Sequence, residues 1–93
     1  MSPRYAVEFT TSARREFDAL PQRVQTQLLE AVEVLAGNPF SELLRVKKLQ
    51  GAVGLYRIRL GQYRLGYEVR RDRLVIIVIR IGHRREVYRF LKR

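Results

Sequence analysis

The spacing of apolar residues changes character along the 93-residue chain, from alternation to a helical stripe and back. Tyr5, Val7 and Phe9 alternate with Ala6 and Glu8, which predicts a first strand with one apolar face. Thr11 or Ser12 can then cap a short helix whose inner face is Ala13, Phe17 and Leu20. Pro21 suits the opening of a second helix, because its fixed φ is already helical and its missing N–H would be unsatisfied there anyway. Val24, Leu28, Ala31, Val32 and Leu35 recur at i, i+4, i+7, i+8 and i+11, a continuous apolar stripe. Gly37-Asn38-Pro39 ends it. The short Leu20-Pro21 junction makes the pair a helical hairpin able to cover one face of a sheet.

The remainder reads as strands. Leu55 to Leu60 alternates, Gly61-Gln62 forms a two-residue turn with glycine first, and Tyr63 to Val69 returns. Arg70 to Arg73 makes the next turn, and Leu74 to Ile79 is apolar at every position, which predicts a central strand protected on more than one face. Glu86 to Arg93 is a short terminal helix or a tail. With no internal repeat and no linker, residues 1–93 form one domain. The class is α+β: an N-terminal strand, a two-helix hairpin, then a three-stranded antiparallel meander and a short C-terminal helix or tail.

A two-residue turn sets the register by counting. Leu60 faces Tyr63, Arg59 faces Arg64, Ile58 faces Leu65 and Arg57 faces Gly66. Tyr56, Ile58, Leu60, Tyr63, Leu65 and Tyr67 then form the core side, and Arg57, Arg59 and Arg64 share the other. Continued alternation puts Arg80 near a strand end on the tyrosine side, with no role assigned. Like charges opposed across strands cost something like 0.2–1 kcal/mol. A phosphate between the two guanidinium groups would turn that repulsion into attraction.

Charge sharpens this picture. The formal net charge is +10, and 46% of residues are hydrophobic, so this is a folding sequence and not a basic tail. Residues 1–43 hold four arginines against six acids, whereas residues 44–93 hold fifteen basic residues against three acids. Such asymmetry favours a polyanionic partner: RNA, DNA or an acidic protein segment. The absence of cysteine excludes disulfides, thiolate zinc sites and cysteine nucleophiles, and a single histidine argues against a His-based metal cluster. The first twenty residues lack a continuous apolar run and Leu74–Ile79 is far too short for a bilayer, which predicts a soluble cytoplasmic protein without a signal peptide.

Three segments carry a resemblance. Val46-Lys47-Lys48-Leu49-Gln50-Gly51, Leu55-Tyr56-Arg57-Ile58-Arg59 followed by Tyr63-Arg64-Leu65-Gly66-Tyr67-Glu68, and the close from Arg80 to Tyr88 resemble the RelE toxins of the RelE/ParE superfamily in order and spacing. The resemblance implies a RelE-like microbial ribonuclease fold and a type II toxin–antitoxin toxin. It implies a ribosome-dependent endoribonuclease that cuts mRNA in the ribosomal A site, inhibits translation and needs no metal or other cofactor. The partners it implies are the ribosome with its rRNA, mRNA, a RelB-like acidic antitoxin, and operator DNA only as the toxin–antitoxin complex.

Carried over by position, the resemblance assigns the catalytic face to Arg57 and Arg59, to Arg64 after the hairpin tyrosine, to Arg84, and to Tyr88 after its Glu-Val pair. Lys47, Lys48 and Arg85, the last an alternative to Arg84, would hold the RNA backbone. Arginine cannot give up its proton, with a pKa above about 12. That leaves His83 as the candidate general base or acid, since an unperturbed imidazole titrates at about 6.5. Tyr88 could stack on a splayed base, and Glu68 and Glu86 read as local ion-pair partners of the arginines. Two other functions compete: a ParE-like gyrase inhibitor without nuclease activity, and a non-catalytic nucleic-acid-binding module.

Overall fold

The computed structural model describes residues 4–49, 51 and 53–83. Strand β1 (Ala6–Phe9) leads into helix α1 (Thr11–Asp18) and helix α2 (Gln22–Gly37). A single 3-10 turn, Glu42–Leu44, precedes β2 (Lys47–Lys48), β3 (Leu55–Leu60), β4 (Tyr63–Arg70) and β5 (Val75–His83). The expected terminal helix or tail at 86–93 lies outside the described residues.

The meander is part of a larger sheet of five strands in the order β1-β5-β4-β3-β2. β1 lies parallel to β5, with Ala6 opposite Val75 and Phe9 opposite Val78. β5 is therefore an inner strand, as its unbroken apolar run requires. β2 is a two-residue edge in which Lys47 faces Arg57 and Lys48 faces Tyr56.

Both helices cover one face of this sheet. Leu28, Leu35 and Ala13 meet Ile58, Leu65, Tyr67, Ile76, Val78 and Ile81 in the core, and the whole predicted stripe of α2 is buried. A fully buried Leu or Ile contributes roughly 1.5–3 kcal/mol over its exposed state. The cap of α1 falls one residue earlier than the sequence suggested: Thr10 is extended at the end of β1, and its Oγ1 accepts from the Ala13 N–H at 3.0 Å. Gln25 of α2 donates to the Phe17 carbonyl at 2.9 Å, tying the two helices together at the C-terminal end of α1. Pro21 is not the first residue of α2, as the sequence suggested, but its N-cap, with an extended ψ of 146°, and the backbone turns extended at Asn38.

Tyr67 sits at the centre of the core, and its hydroxyl donates to the Pro39 carbonyl at 2.7 Å. Burial, with a smaller contribution from neighbouring Tyr56, raises its hydroxyl pKa well above the ordinary tyrosine value. Its ring continues outward through Tyr56 and Phe40 to Arg71, whose guanidinium lies 4.8 Å from the Phe40 ring centre.

Register along β4 and β5 contains one irregularity. Tyr67 faces Val78 but Gly66 faces Arg80, so Ile79 is an extra residue in β5. The bulge lets Val78 and Ile81 both reach the core, while Ile79 joins Leu49 and Leu55 in a small separate cluster. It also moves Arg80. Opposite Gly66, itself opposite Arg57, this arginine belongs to the arginine face and not to the tyrosine side that strict alternation predicts.

Candidate active site

The site grows out of the β3–β4 turn. Gly61 has φ +62°, a conformation that a Cβ disfavours, and it occupies the first central position of the two-residue loop. The register it sets is the one counted from the sequence: Arg59 faces Arg64 and Arg57 faces Gly66. Lys47 extends the row across β2, directly opposite Arg57. Lys48 pairs with Tyr56 and takes the other side, so the two lysines part company.

The three arginines differ in exposure. Arg59 is open to solvent, whereas Arg57 and Arg64 are only 4% and 5% exposed although both stand on the sheet face opposite the helices. The Arg64 guanidinium folds back on the turn, donating from Nη1 to the Gly61 carbonyl at 3.2 Å and the Tyr63 carbonyl at 3.1 Å. Arg57 is flanked by β2 and β4 on its two sides.

Two concavities flank the turn. One, about 500 Å³, is lined by the cations Arg45, Lys47, Arg57 and Arg59 together with Leu43 and Leu44. Leu43, 85% exposed, places an apolar side chain beside this cluster of positive charge. Arg45 drew no notice in the sequence; it arrives here through a left-handed backbone, φ 50°, that ends the 3-10 turn. The other concavity, about 280 Å³, is lined by Gly61, Gln62, Arg64 and His83.

His83 pairs with Tyr63, one position off the arginine row, yet its ring shares this second concavity with Arg64. Its Nε2 is 3.2 Å from Gln62 Oε1, and it meets the Tyr63 ring edge-on at 6.3 Å. Glu68 forms an ion pair with Arg70 at 3.0 Å. Arg84, Arg85, Glu86 and Tyr88 lie outside the described residues.

Sequence reasoning also passed over Glu16, embedded in the run Arg14-Arg15-Glu16. Its carboxylate holds Arg80 through Oε2 at 3.0 Å and accepts the Ile81 backbone N–H through Oε1 at 2.9 Å. Chemically, the face offers fixed guanidinium donors suited to phosphate oxygens and one imidazole at its margin. Among the described residues, no group of three His, Cys, Asp or Glu side chains could hold a metal ion. No helix among them is long and apolar enough to cross a membrane.

Comparison with known proteins identifies the family. Residues 7–88 match the family described as ParE toxin of type II toxin-antitoxin system, parDE. The Mycobacterium tuberculosis protein named toxin RelG is 37% identical over 87 residues, covering 91% of this chain and 97% of its own. The mRNA interferase toxin RelE of Escherichia coli K12 is 36% identical over 89 residues, 90% of each protein. In the crystal structure of the archaeal RelE-RelB complex from Pyrococcus horikoshii OT3, a chain with 31% identity superposes with a TM-score of 0.77, covering 86% of this chain and 94% of that one.

Proposed function

Because the chain belongs to the RelE/ParE family of type II toxin–antitoxin toxins, we propose that it is a ribosome-dependent endoribonuclease, cutting mRNA in the ribosomal A site and held inactive by a RelB-like antitoxin. The observation that carries the reading is the arginine row: Arg57, Arg59 and Arg64 on one sheet face, with Lys47 beside them.

In the proposed reaction the ribose 2′-hydroxyl loses its proton and attacks the adjacent phosphorus. The bond to the 5′-oxygen breaks, leaving a 2′,3′-cyclic phosphate and a free 5′-hydroxyl. Charge builds on the non-bridging oxygens, where preorganised donors are worth roughly 3–4 kcal/mol each. Arg64, already anchored on two carbonyls, supplies such a donor without first having to be ordered. Arg57 and Arg59 supply others, and Lys47 holds the flanking backbone. Protonated guanidinium groups cannot accept the 2′ proton, so His83 takes it and water protonates the departing 5′-oxygen, with Arg84 and Tyr88 assigned to the same centre by the family resemblance. Lys48 and Arg85 contact RNA outside that centre. The open form of the site supports cleavage on the ribosome, where the decoding centre would orient the mRNA.

Purified protein should cut mRNA on programmed ribosomes and leave the same RNA intact in free solution. Equal cleavage of both overturns ribosome dependence. The family description names ParE, which keeps a second reading in view: a DNA-damage response on induction, with mRNA intact, assigns the chain to gyrase inhibition.

A further inference from the structure

We propose that Glu16 is a positioning residue for the reaction, acting through Arg80 and the Ile81 amide on the end of β5; the inference rests on the ribonuclease reading above. The parallel pairing of β1 with β5 stops at Phe9 opposite Val78, yet β5 continues to His83. Past that point no strand among the described residues lies along the outer edge of β5, and its backbone groups need other partners.

Helix α1 provides them. Thr10 N–H donates to the Val78 carbonyl at 3.0 Å, and Thr10 Oγ1 donates to the Ile79 carbonyl at 3.1 Å while accepting from Ala13. One turn and a half later, Glu16 accepts the Ile81 N–H. The start of α1 therefore takes the place of a strand, with the Thr10 amide and two side-chain oxygens in place of a backbone ladder. Ala13, fully buried against the core, fixes the helix in place.

The second oxygen of Glu16 acts on the arginine face. The bulge at Ile79 puts Arg80 in line with Gly66 and Arg57, and Glu16 holds its guanidinium at 3.0 Å. One carboxylate thus fixes a backbone amide and a side chain at successive positions. Two residues later on the same strand, Gly82 and His83 lie against Arg64 and Tyr63. Any slack at Ile81 moves His83 relative to Arg64, and displacements near 1 Å at a site of this kind can cost a hundredfold in rate.

The test compares Glu16→Ala, Glu16→Gln and Arg80→Ala with Asp18→Ala, an exposed acid on the same helix that pairs only locally with Arg14. On programmed ribosomes, Glu16→Ala should lower kcat on the order of tenfold or more with KM within about twofold, because it misplaces groups without removing a substrate contact. Glu16→Gln keeps one acceptor for the Ile81 amide and should recover part of the loss. Arg80→Ala added to Glu16→Ala should cost less than it does alone, since the two share one interaction. Amide exchange at Ile81 should quicken in Glu16→Ala and stay slow in Glu16→Gln, and the His83 ring resonances should shift in Glu16→Ala alone.

Wild-type turnover in Glu16→Ala overturns the proposal, and so does a fall in kcat with Ile81 exchange unchanged. If Glu16→Ala fails to fold, Glu16→Gln decides: full activity with unaltered Arg80→Ala additivity overturns it. If the parent protein cuts no mRNA, the ribonuclease reading fails. Unmoved Ile81 exchange and His83 resonances then overturn the positioning claim on its own terms.

Discussion

Arg59 and Arg64 face each other across the β3–β4 hairpin, one exposed and the other folded onto the carbonyls of Gly61 and Tyr63. The opposition of like charges is relieved by giving the two side chains different environments. Carbonyl dipoles neutralise part of the Arg64 charge in the free protein, while Arg59 keeps its charge in water. A polyanion arriving at the hairpin meets one donor held on carbonyls and one exposed to solvent.

Arg64→Ala should therefore lower the single-turnover cleavage rate on programmed ribosomes on the order of a hundredfold. Arg64→Lys keeps the charge but not the fork and should fall in between. A variant that cleaves like the parent and merely melts lower makes Arg64 a structural residue. Arg59→Ala, run beside it, should reduce the rate with no loss of thermal stability, because its side chain is exposed.

Gly61→Ala tests the turn on which this arrangement depends. No atom lies within 4 Å of an added Cβ, so the penalty is conformational and not steric crowding. A left-handed alanine costs about 1–2 kcal/mol, which should appear as a lower urea midpoint with an unchanged m-value. An unchanged midpoint would mean that the turn adopts another conformation in solution.

How much of this was legible beforehand follows from the range of each signal. The hairpin register could be counted because Gly61-Gln62 leaves one solution, and the α2 stripe because helical periodicity is local. The parallel partner of β1 lies some seventy residues away, and nothing in Ala6–Phe9 names it. β2 is two lysines defined only by pairing to β3. The bulge at Ile79 was hidden because an unbroken apolar run carries no polar marker of face, and with it went the side of the sheet on which Arg80 stands. Burial of Arg57 and Arg64 was equally out of reach: alternation assigns a face but says nothing of what a long side chain does on it. Nothing in the sequence singles out Glu16, because its contacts depend on where β1 ends against β5.

Tyr67 should give the protein an alkaline limit. Burial raises its folded-state pKa above the ordinary value of 10.0, so above about pH 10 the unfolded chain gives up a proton that the folded one retains. The unfolded state then binds fewer protons, and stability falls as pH rises, by up to about 1.4 kcal/mol per pH unit from this one group. Below that pH the contribution is complete. Urea midpoints from pH 8 to 11 should decline for the parent and decline less for Tyr67→Phe. At neutral pH that variant should be weaker by about 1 kcal/mol, from loss of the bond to the Pro39 carbonyl. Parallel slopes for the two proteins would remove Tyr67 as the cause.

The last prediction concerns neutralisation by an acidic antitoxin, which the likeness to the toxin of an archaeal RelE-RelB complex supports. The basic excess of residues 44–93 and the cleft lined by Arg45, Lys47, Arg57 and Arg59 provide the long-range field, while exposed Leu43 and its neighbour Leu44 provide apolar anchors. These two contributions separate kinetically. Attraction between exposed charges acts over a Debye length, about 30 Å at 0.01 M salt and about 8 Å at 0.15 M, and so mainly accelerates encounter. Apolar burial acts only after contact and mainly slows release. Stopped-flow binding of the co-expressed antitoxin should accordingly show association slowing by roughly tenfold or more over that salt range, with dissociation changing little. Lys47→Ala and Arg59→Ala should flatten the salt dependence of association, whereas Leu43→Ala should raise the dissociation rate and leave that dependence intact. An antitoxin whose association rate ignores salt, or one that leaves the arginine face unprotected in footprinting, would place its binding surface elsewhere on the fold.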